Sequence, residues 1–444
     1  MWRNDNTLEY SDCVMVPRSQ AAPARIFYGW WVALAFALIV FLSTGIRFTV
    51  GPFLKPVVSD LGLDRGSFSL VISLSLFLYG AFMPLVGRLV DRMGPRPVCS
   101  AGAIVLAGAM VLTGTMHSLW EFFLYYGVLV ALGLAATGHV VAAATLTRWF
   151  VKRRGTAISL LSAASMAGMA ILVPIVMWCI LTFGWRASYM ILGVASLLVT
   201  LPLTFWVLRP GPESLGLEPD GIAADPAAAR IAPALERTAV GEAMRVPSFW
   251  LLAGGLFNCG FSMSLLSTHG VPMLTDHGFH AMTASSAIGF LGMTSIAGGM
   301  ALGFISDRWG RKPVLASVYL LRAFAFAALF AVHEPMALLV VAAISGLGMS
   351  GSLAMTSALT GDIFGRFSVG SIFGLIFLSH QSGAALGSWL AGYLFDLTGG
   401  YGAAFAAACT LLLVATGLAL TINEAGRPAR RSEMQPARSL AGGK

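Results

Sequence analysis

A charged motif occurs twice in the chain, and it limits the possible folds more than any other feature. The first copy spans residues 87–98 (GRLVDRMGPRPV) and the second spans residues 303–314 (GFISDRWGRKPV), so both follow the pattern G-x-x-x-D-R-x-G-x-x-P-V. The copies begin 216 residues apart in a chain of 444, and each lies between long apolar segments. Spacing near half the chain length predicts a duplicated unit in which each copy carries one charged loop.

The composition places the apolar segments in a membrane. Hydrophobic residues make up 57% of the chain and charged residues 11%, whereas a soluble domain has about 25% charged residues. A membrane-spanning helix needs about 20 apolar residues, and the sequence contains twelve such segments: 28–52, 67–89, 97–116, 119–147, 154–179, 187–208, 248–275, 281–304, 313–332, 335–361, 369–395 and 400–422. We therefore predict an all-α membrane protein with twelve transmembrane helices in two six-helix, pseudo-symmetric halves.

The polar stretches between these segments predict five parts. They are an N-terminal tail (1–27), a six-helix half (28–208), a linker (209–247), a second six-helix half (248–422) and a C-terminal tail (423–444). The linker is rich in proline and alanine and has no apolar period, so it is expected to lack regular structure, as are the two tails.

The distribution of basic residues predicts the orientation. Of the 28 lysines and arginines, 23 fall on one face of the predicted bundle, in the tails, the two charged loops, 148–154, 209–245 and Arg366. Because positive charge is retained on the cytoplasmic side, both termini are expected to be cytoplasmic, in the inner membrane of a bacterium. The net charge of +8 is then explained by basic loops and tails at the cytoplasmic surface of the membrane, and no nucleic-acid partner is expected.

The duplicated loop resembles the signature loop of the major facilitator superfamily, which lies between helices 2 and 3 and again between helices 8 and 9. The resemblance covers residues 28–422 and implies secondary transport by two halves that move about a site at the membrane midplane. It implies no enzyme activity, cofactor or metal, and the sequence has no metalloprotease, P-loop or hydrolase motif. It also implies gating roles for the paired loop residues Gly87, Asp91, Arg92, Gly303, Asp307 and Arg308.

Ionisable residues inside the predicted spans mark the candidate substrate site. All 20 aspartates and glutamates fall in tails, loops or last helical turns, whereas Arg47, Arg322 and His380 lie within apolar segments. A charge at mid-span costs about 2.5–3.5 kcal/mol, and two buried cations without a buried anion predict an anionic substrate. A carboxylate fits arginine's bidentate geometry. We predict Arg322 as the main anchor, His380 as a second donor or proton site, and Arg47 as a closing contact.

Each assignment has a structural alternative. Arg322 could instead cap backbone carbonyls at a helix break, or pair with a loop acid by snorkelling. Arg47 could reach the outer interface, and His380 could be a neutral, hydrogen-bonded histidine. His269 and Asn258 are weaker candidates for the substrate site, because packing and interhelical contacts explain such residues equally well.

Shorter stretches narrow the expected substrate. Residues 374–387 (GLIFLSHQSGAALG) resemble helix 11 of bacterial oxalate:formate antiporters, in which a substrate-binding lysine occupies the place of His380. The stretches 28–31 (YGWW) and 51–56 (GPFLKP) are similar to the monocarboxylate transporter branch. These resemblances imply a small mono- or dicarboxylate as substrate. The Asp-Arg pair of helix 8 in animal monocarboxylate carriers is absent from 289–298, so the choice between a coupled proton and a counter-anion stays open.

Two other classes of function remain as alternatives. An efflux carrier for hydrophobic or cationic compounds is expected to contain a buried carboxylate, and the predicted spans contain none. A membrane sensor or scaffold is expected to carry a sizeable soluble domain, and the longest loop, 209–247, is too short and irregular for one.

Overall fold

The structure is a computed structural model that describes residues 27–221, 239–365 and 369–423. Nearly all of the two predicted tails, the middle of the predicted linker and Arg366 lie outside these residues. Everything below concerns the described part of the chain.

The residues before the linker form helices α1 to α8, which we call the N-terminal helices. They are α1 (Tyr28–Phe48), α2 (Val50–Leu61), α3 (Arg65–Met93), α4 (Pro95–Gly114), α5 (Leu119–Phe122), a π-helical segment (Phe123–Val130), α6 (Ala131–Thr137), α7 (His139–Trp149) and α8 (Arg154–Trp206).

A short helix α9 (Val240–Ala243) ends the linker, and the helices that follow it are called the C-terminal helices. They are α10 (Pro247–Asp276), α11 (Ala281–Trp309), α12 (Arg311–Ala331), α13 (Pro335–Leu347), α14 (Gly351–Phe364), α15 (Val369–Thr398) and α16 (Gly402–Thr421).

The helices account for all twelve predicted spans. By length and composition, ten helical stretches of the described residues can cross a membrane. One of them, α8, is 53 residues long and contains Gly184 with a φ of 80°, so it holds two predicted segments, 154–179 and 187–208. The 30-residue α15 coincides with the predicted segment 369–395. The all-α, multi-span fold class is therefore confirmed.

The two copies of the charged loop form the same turn. Helix α3 ends at Gly94 with a φ of 82°, and α11 ends at Gly310 with a φ of 90°. Glycine adopts these positive φ values without the steric cost that a Cβ atom brings. Each glycine thus allows the chain to reverse direction at once into the next helix, α4 or α12.

The buried hydrophobic side chains form two clusters that follow the chain order. The members of one cluster lie between residues 32 and 208, with Ala384 added. The members of the other lie mainly between residues 243 and 422. Only Phe48, Met169, Val173 and Met177 of the N-terminal helices join the second cluster. This division agrees with a duplicated unit, while the limits of the two halves stay a prediction.

The described parts of the linker are ordered, whereas the sequence analysis expects the linker to lack regular structure. The Asp220 carboxylate accepts backbone N–H groups of Val151, Lys152 and Arg153 at 2.9, 2.7 and 3.3 Å. Its slight burial raises the pKa of Asp220, but these three donors outweigh that effect and hold the pKa below its usual range. The start of the linker is therefore fastened to the loop before α8.

Candidate functional site between the two sets of helices

The N-terminal and C-terminal helices touch along close, small-residue contacts. Helix α3 packs on α15, α8 on α11 and α2 on α10. At Gly289 of α11, a Cβ atom would lie 2.7 Å from the Ala170 carbonyl oxygen of α8. Only glycine permits this approach, so the interface is built for direct backbone contact.

Charged side chains join the two sets of helices at one end of the bundle, which we call the Arg65 end. The Arg65 guanidinium of α3 lies 2.6 Å from the Asp276 carboxylate of α10, and Lys55 lies 2.6 Å from the other oxygen of that carboxylate. Arg65 also donates to the Tyr401 hydroxyl at 2.7 Å. Asp396 of α15 accepts two backbone N–H groups at the start of α3, at 3.2 and 2.6 Å. Together these contacts close this end of the interface.

His269 belongs to the same closure. Its Nε2 atom lies 3.1 Å from Ser69 Oγ of α3 and 3.0 Å from the Ser388 carbonyl oxygen, and its Nδ1 atom lies 3.1 Å from the Tyr401 hydroxyl. The side chain is fully buried. Both ring nitrogens thus have protein partners, and the structure places His269 in a contact between helices. Its predicted role in substrate binding stays untested.

Midway along the interface, Arg47 of α1 meets α15. Its Nη2 atom donates to the Gln381 side-chain oxygen at 3.2 Å, and His380 Nδ1 lies 3.0 Å from the same oxygen. The Gln381 amide nitrogen donates to the Leu76 carbonyl oxygen at 3.2 Å. Gln381 is fully buried and was missed by the sequence argument, although a glutamine inside an apolar span was a usable signal.

An aromatic ring packs against the Arg47 guanidinium. The guanidinium carbon lies 5.0 Å from the centre of the Tyr79 ring, a distance at which a cation is attracted to the ring face. Among the described residues, no carboxylate lies within 4 Å of Arg47. Arg47 is half-buried.

Arg322 has the opposite surroundings. It is 0% exposed and is enclosed by the C-terminal helices. Its Nη2 atom donates to the carbonyl oxygens of Gly348 and Met349 at 2.8 and 2.7 Å, where α13 ends, and to Ser352 Oγ at 3.2 Å. Its Nη1 atom donates to Cys259 Sγ at 3.1 Å. This is the backbone-capping arrangement named above as the alternative to a substrate anchor.

Asn258 lies beside this enclosed cluster. It precedes Cys259 on α10 and is 4% exposed. Its predicted role in substrate binding stays untested. Among the described residues, no group of three His, Cys, Asp or Glu side chains is arranged to hold a metal ion.

Each signature loop takes part in an ion pair within its own set of helices. Asp91 pairs with Arg148 of α7 at 3.1 Å, and in the second copy Arg311 pairs with Asp362 of α14. The remaining predicted gating side chains, Arg92, Asp307 and Arg308, are exposed. At Gly303 a Cβ atom would meet nothing within 4 Å, and at Gly87 it would make only ordinary contact with Val140.

The end that carries these loops is called the signature-loop end. Hydrogen bonds and ion pairs join residues 47–76 of one set of helices to residues 269–401 of the other. They include the charged contacts of the Arg65 end and the bonds of Gln381 midway along the interface. The predicted lock between the signature loops at the opposite end stays a prediction.

The all-helical, multi-span bundle with its repeated charged loop agrees with the family comparison. The profile of the Major Facilitator Superfamily matches residues 36–330 and 270–442. The chain belongs to this superfamily. Because its members are transporters, the protein is a multi-pass membrane transporter of small molecules and not an enzyme, as the sequence predicted.

Curated members of the superfamily resemble the chain along most of its length. An uncharacterized transporter of this superfamily, YcxA of Bacillus subtilis, is 25% identical over 390 residues, which cover 84% of this chain and 90% of that protein. The oxalate:formate antiporter of Oxalobacter formigenes is 24% identical over 408 residues, covering 90% and 93%. Monocarboxylate transporter 13 of Rattus norvegicus is 27% identical over 405 residues, covering 89% of each chain.

A solved structure of the superfamily shows the same fold. The crystal structure of a bacterial homolog of the human lysosomal transporter Spinster, in an inward-facing and occupied conformation, matches with a TM-score of 0.71. The match covers 89% of this chain and 97% of that one at 18% identity. At this identity the match shows that the two chains share a fold.

Proposed function

We propose that the protein is a secondary transporter of a small organic anion with a carboxylate group, a mono- or dicarboxylate, and that Arg47 binds this group. The observation that carries the proposal is the Arg47 guanidinium itself, which lies at the interface with no carboxylate within 4 Å in the described residues. A buried charge is expensive unless it is paired. A substrate anion supplies the missing partner.

The contacts of Arg47 suit a site that opens and closes. Its bond to the neutral Gln381 oxygen at 3.2 Å joins α1 to α15. A carboxylate accepts stronger, charge-assisted and bidentate hydrogen bonds from a guanidinium than an amide oxygen does. The substrate therefore displaces Gln381 from Arg47, or bridges the two, and in either case it acts on a contact between the moving parts.

Arg322 is a poorer candidate than Arg47 for this role. Four acceptors from the protein surround its two terminal nitrogens, and the side chain has no exposed surface. Substrate could reach it only after α12 and α14 separate. We therefore assign Arg322 to the stability of the C-terminal helices, and we assign the substrate carboxylate to Arg47.

The named relatives favour the same class of substrate. One is an oxalate:formate antiporter and another a monocarboxylate transporter, and both align with about nine-tenths of this chain. At about 25% identity these relatives support a carboxylate as the class of substrate, but they do not indicate which carboxylate. An efflux carrier for hydrophobic or cationic compounds remains the alternative, and the experiment below separates the two.

The proposed cycle follows from the asymmetry of the interface. We place the signature-loop end and both termini in the cytoplasm of a bacterium, on the charge distribution described above. The conformation seen here, fastened at the Arg65 end, is then inward-facing. Opening to the outside requires the Arg65 and Asp276 pair to break. The loops around Asp91 and Asp307, with their arginines, would then approach and lock the cytoplasmic end.

Uptake into proteoliposomes tests the proposal. Labelled formate, oxalate, lactate, an aromatic acid and a cationic dye are offered to wild-type protein, to Arg47→Gln and to Arg154→Gln. Arg154 is an exposed arginine at the start of α8, so this control removes the same charge away from the site. We expect wild-type and Arg154→Gln to take up at least one carboxylate, and Arg47→Gln to take up far less of it at the same low concentration. Uptake of the dye alone, or equal carboxylate uptake by Arg47→Gln, would overturn the proposal.

A further inference from the structure

Two histidine rings lie against each other near the Arg65 end of the bundle, outside the proposed substrate site. His277 directly follows the last residue of α10, and His333 lies in the loop between α12 and α13. Their ring centres are 5.7 Å apart, and the planes of the two rings differ by 14°. The residues are distant in the sequence, so the fold alone brings them together.

A backbone hydrogen bond fixes the position of the proton on the His333 ring. The Nδ1 atom lies 2.9 Å from the Ala331 carbonyl oxygen, and a carbonyl oxygen only accepts hydrogen bonds. Nδ1 is therefore the N–H donor, and Nε2 of the neutral ring carries the free lone pair. The side chain is exposed. Histidines that bind metal ions are oriented in the same way, because their other ring nitrogen donates to a carbonyl or carboxylate oxygen.

The His277 ring is accessible through one nitrogen. The residue is partly exposed, but its Nδ1 atom is buried and has no hydrogen-bond partner among the described residues. The Phe330 ring packs against the imidazole, with the ring centres 5.3 Å apart. Nε2 is then the nitrogen of His277 that a solute can reach.

The surroundings of His277 keep its ring neutral near pH 7. Burial and the neighbouring His333 ring lower the pKa of His277, and the charge of Asp276 offsets only part of this effect. Asp276 is itself paired with Lys55 and Arg65. Metal ions bind histidine in its neutral form, so the lowered pKa keeps the lone pair available.

The spacing of the two rings fits one shared metal ion. Zinc lies about 2.0–2.1 Å from an imidazole nitrogen, so two imidazoles on one ion have their ring centres about 5 to 6 Å apart. The observed separation of 5.7 Å lies in this range. Only small rotations of the exposed His333 side chain are then needed to complete the contact.

His280 is close to His277 in the sequence, but the structure gives it another role. It caps α11, and its Nδ1 atom accepts the backbone N–H of Met282 at 3.3 Å. The lone pair of Nδ1 is thus used within the chain. The described residues bring no third His, Cys, Asp or Glu side chain into a metal-binding arrangement with the pair. Water therefore fills the other coordination positions of an ion bound there.

We propose that His277 and His333 together bind one divalent transition-metal ion, such as Zn²⁺, through their Nε2 atoms. Imidazole is a good ligand for Zn²⁺, Ni²⁺ and Cu²⁺, whereas Mg²⁺ and Ca²⁺ prefer oxygen ligands. The ion joins the end of α10 to the loop between α12 and α13, next to the ion pairs of the Arg65 end. The site is separate from Arg47 and does not depend on the proposed substrate.

Calorimetric titration of the full chain in detergent tests the proposal, with ZnCl₂ as the probe and MgCl₂ as the comparison. The protein carries no polyhistidine tag, because a tag would itself bind zinc. We expect about one Zn²⁺ per chain, a rise in the apparent Tm on binding, and no binding of Mg²⁺ at the same concentration. Zinc should bind more weakly at pH 5.5 than at pH 7.5, because the imidazoles must be deprotonated to bind it.

Variants assign the ion to the two histidines. Loss of the hydrogen-bond partner of a metal ligand already costs about 10- to 100-fold in affinity, so His333→Gln and His277→Gln should each raise the Kd for zinc at least about tenfold. His333 is exposed, so its variant is expected to fold, and it decides the question if His277→Gln does not. His280→Gln is the matched control and should keep the wild-type Kd.

Three results would overturn the proposal. If wild-type protein binds no Zn²⁺, the site does not exist. If Mg²⁺ binds as tightly as Zn²⁺, carboxylates such as those of Asp276 and Glu334 hold the ion. If His333→Gln keeps the wild-type Kd, the ion binds elsewhere on the chain. None of these results bears on carboxylate transport, which the uptake experiment tests separately.

Discussion

Two arginines lie inside the apolar spans, and the structure gives them opposite surroundings. Arg322 is fully enclosed within one set of helices and donates to backbone carbonyls and a thiol. Arg47 lies between the two sets and is half-buried. It donates to the neutral Gln381 side chain and lies over the face of the Tyr79 ring. A charge inside a membrane span therefore does not by itself mark a substrate site. Its role depends on its hydrogen-bond partners and on whether it lies within one set of helices or between two sets that can move apart.

The largest effect is expected from Arg322→Gln, which should impair folding. The substitution leaves the carbonyl oxygens of Gly348 and Met349 without their donor, inside the bundle. Leaving buried polar groups unpaired costs about 1–3 kcal/mol each. We expect a clear drop in the apparent Tm and in the yield of monodisperse protein in detergent. A variant that keeps the wild-type Tm but no longer binds carboxylates would restore Arg322 as the anchor.

Arg47→Gln should have the next largest effect, on binding alone. A hydrogen bond to a charged group contributes about 1.5–3 kcal/mol, so carboxylate affinity should fall by about 10- to 100-fold. The empty protein should keep its Tm, because Arg47 makes a single side-chain hydrogen bond across the interface. Isothermal calorimetry and thermal unfolding of the same samples provide the two readings. A lower Tm with unchanged carboxylate affinity would contradict this assignment, because it would give Arg47 the structural role that we assign to Arg322.

Asp276→Asn should loosen the Arg65 end and leave substrate binding in place. Asp276 pairs with both Arg65 and Lys55, and partly exposed pairs contribute about 1 kcal/mol or less. We expect backbone amides at the start of α3 to exchange hydrogen a few times faster, as measured by mass spectrometry. Asp362→Asn is the control, since it removes the ion pair with Arg311 at the signature-loop end. Equal exchange at α3 in both variants would contradict the idea that the Asp276 ion pairs hold the start of α3.

The smallest effect is expected from Asp220→Asn, far from either arginine. Three backbone N–H donors lower the pKa of Asp220, so its charged form stabilises the folded state. That contribution is complete above the unfolded pKa of about 3.9 and is lost as the pH falls through the lower folded pKa. The variant should melt about 1–2 °C lower between pH 5 and pH 8, and the difference should shrink below about pH 4. A difference that grows on acidification would contradict the assignment.

The parts of the fold that depend on local sequence were predictable. The repeated charged motif predicted two equivalent turns, and both end a helix at a glycine with positive φ. The apolar segments predicted the spans because the length of a membrane-spanning helix is set by the thickness of the bilayer. Neither argument needs to know which helices are neighbours.

The site was only partly predictable, because it depends on which face of each helix meets another. Helices that are apolar on nearly all sides give no periodic signal of orientation, so Arg322 and Arg47 could not be told apart. Gln381 was overlooked beside His380, and it is the residue that joins Arg47 to α15. Arg65 was not singled out from the sequence, because its pairing with Asp276 joins residues 211 positions apart.

Ligand-induced thermal shift on the two arginine variants tests the central claim most directly. Wild-type protein, Arg47→Gln and the milder Arg322→Lys are heated with and without each carboxylate of the uptake panel, since a ligand that binds the folded state raises the apparent Tm. We predict that a carboxylate stabilises wild-type protein and Arg322→Lys, the latter from a lower starting Tm, and leaves Arg47→Gln unchanged. Stabilisation of Arg47→Gln together with none of Arg322→Lys would contradict the account.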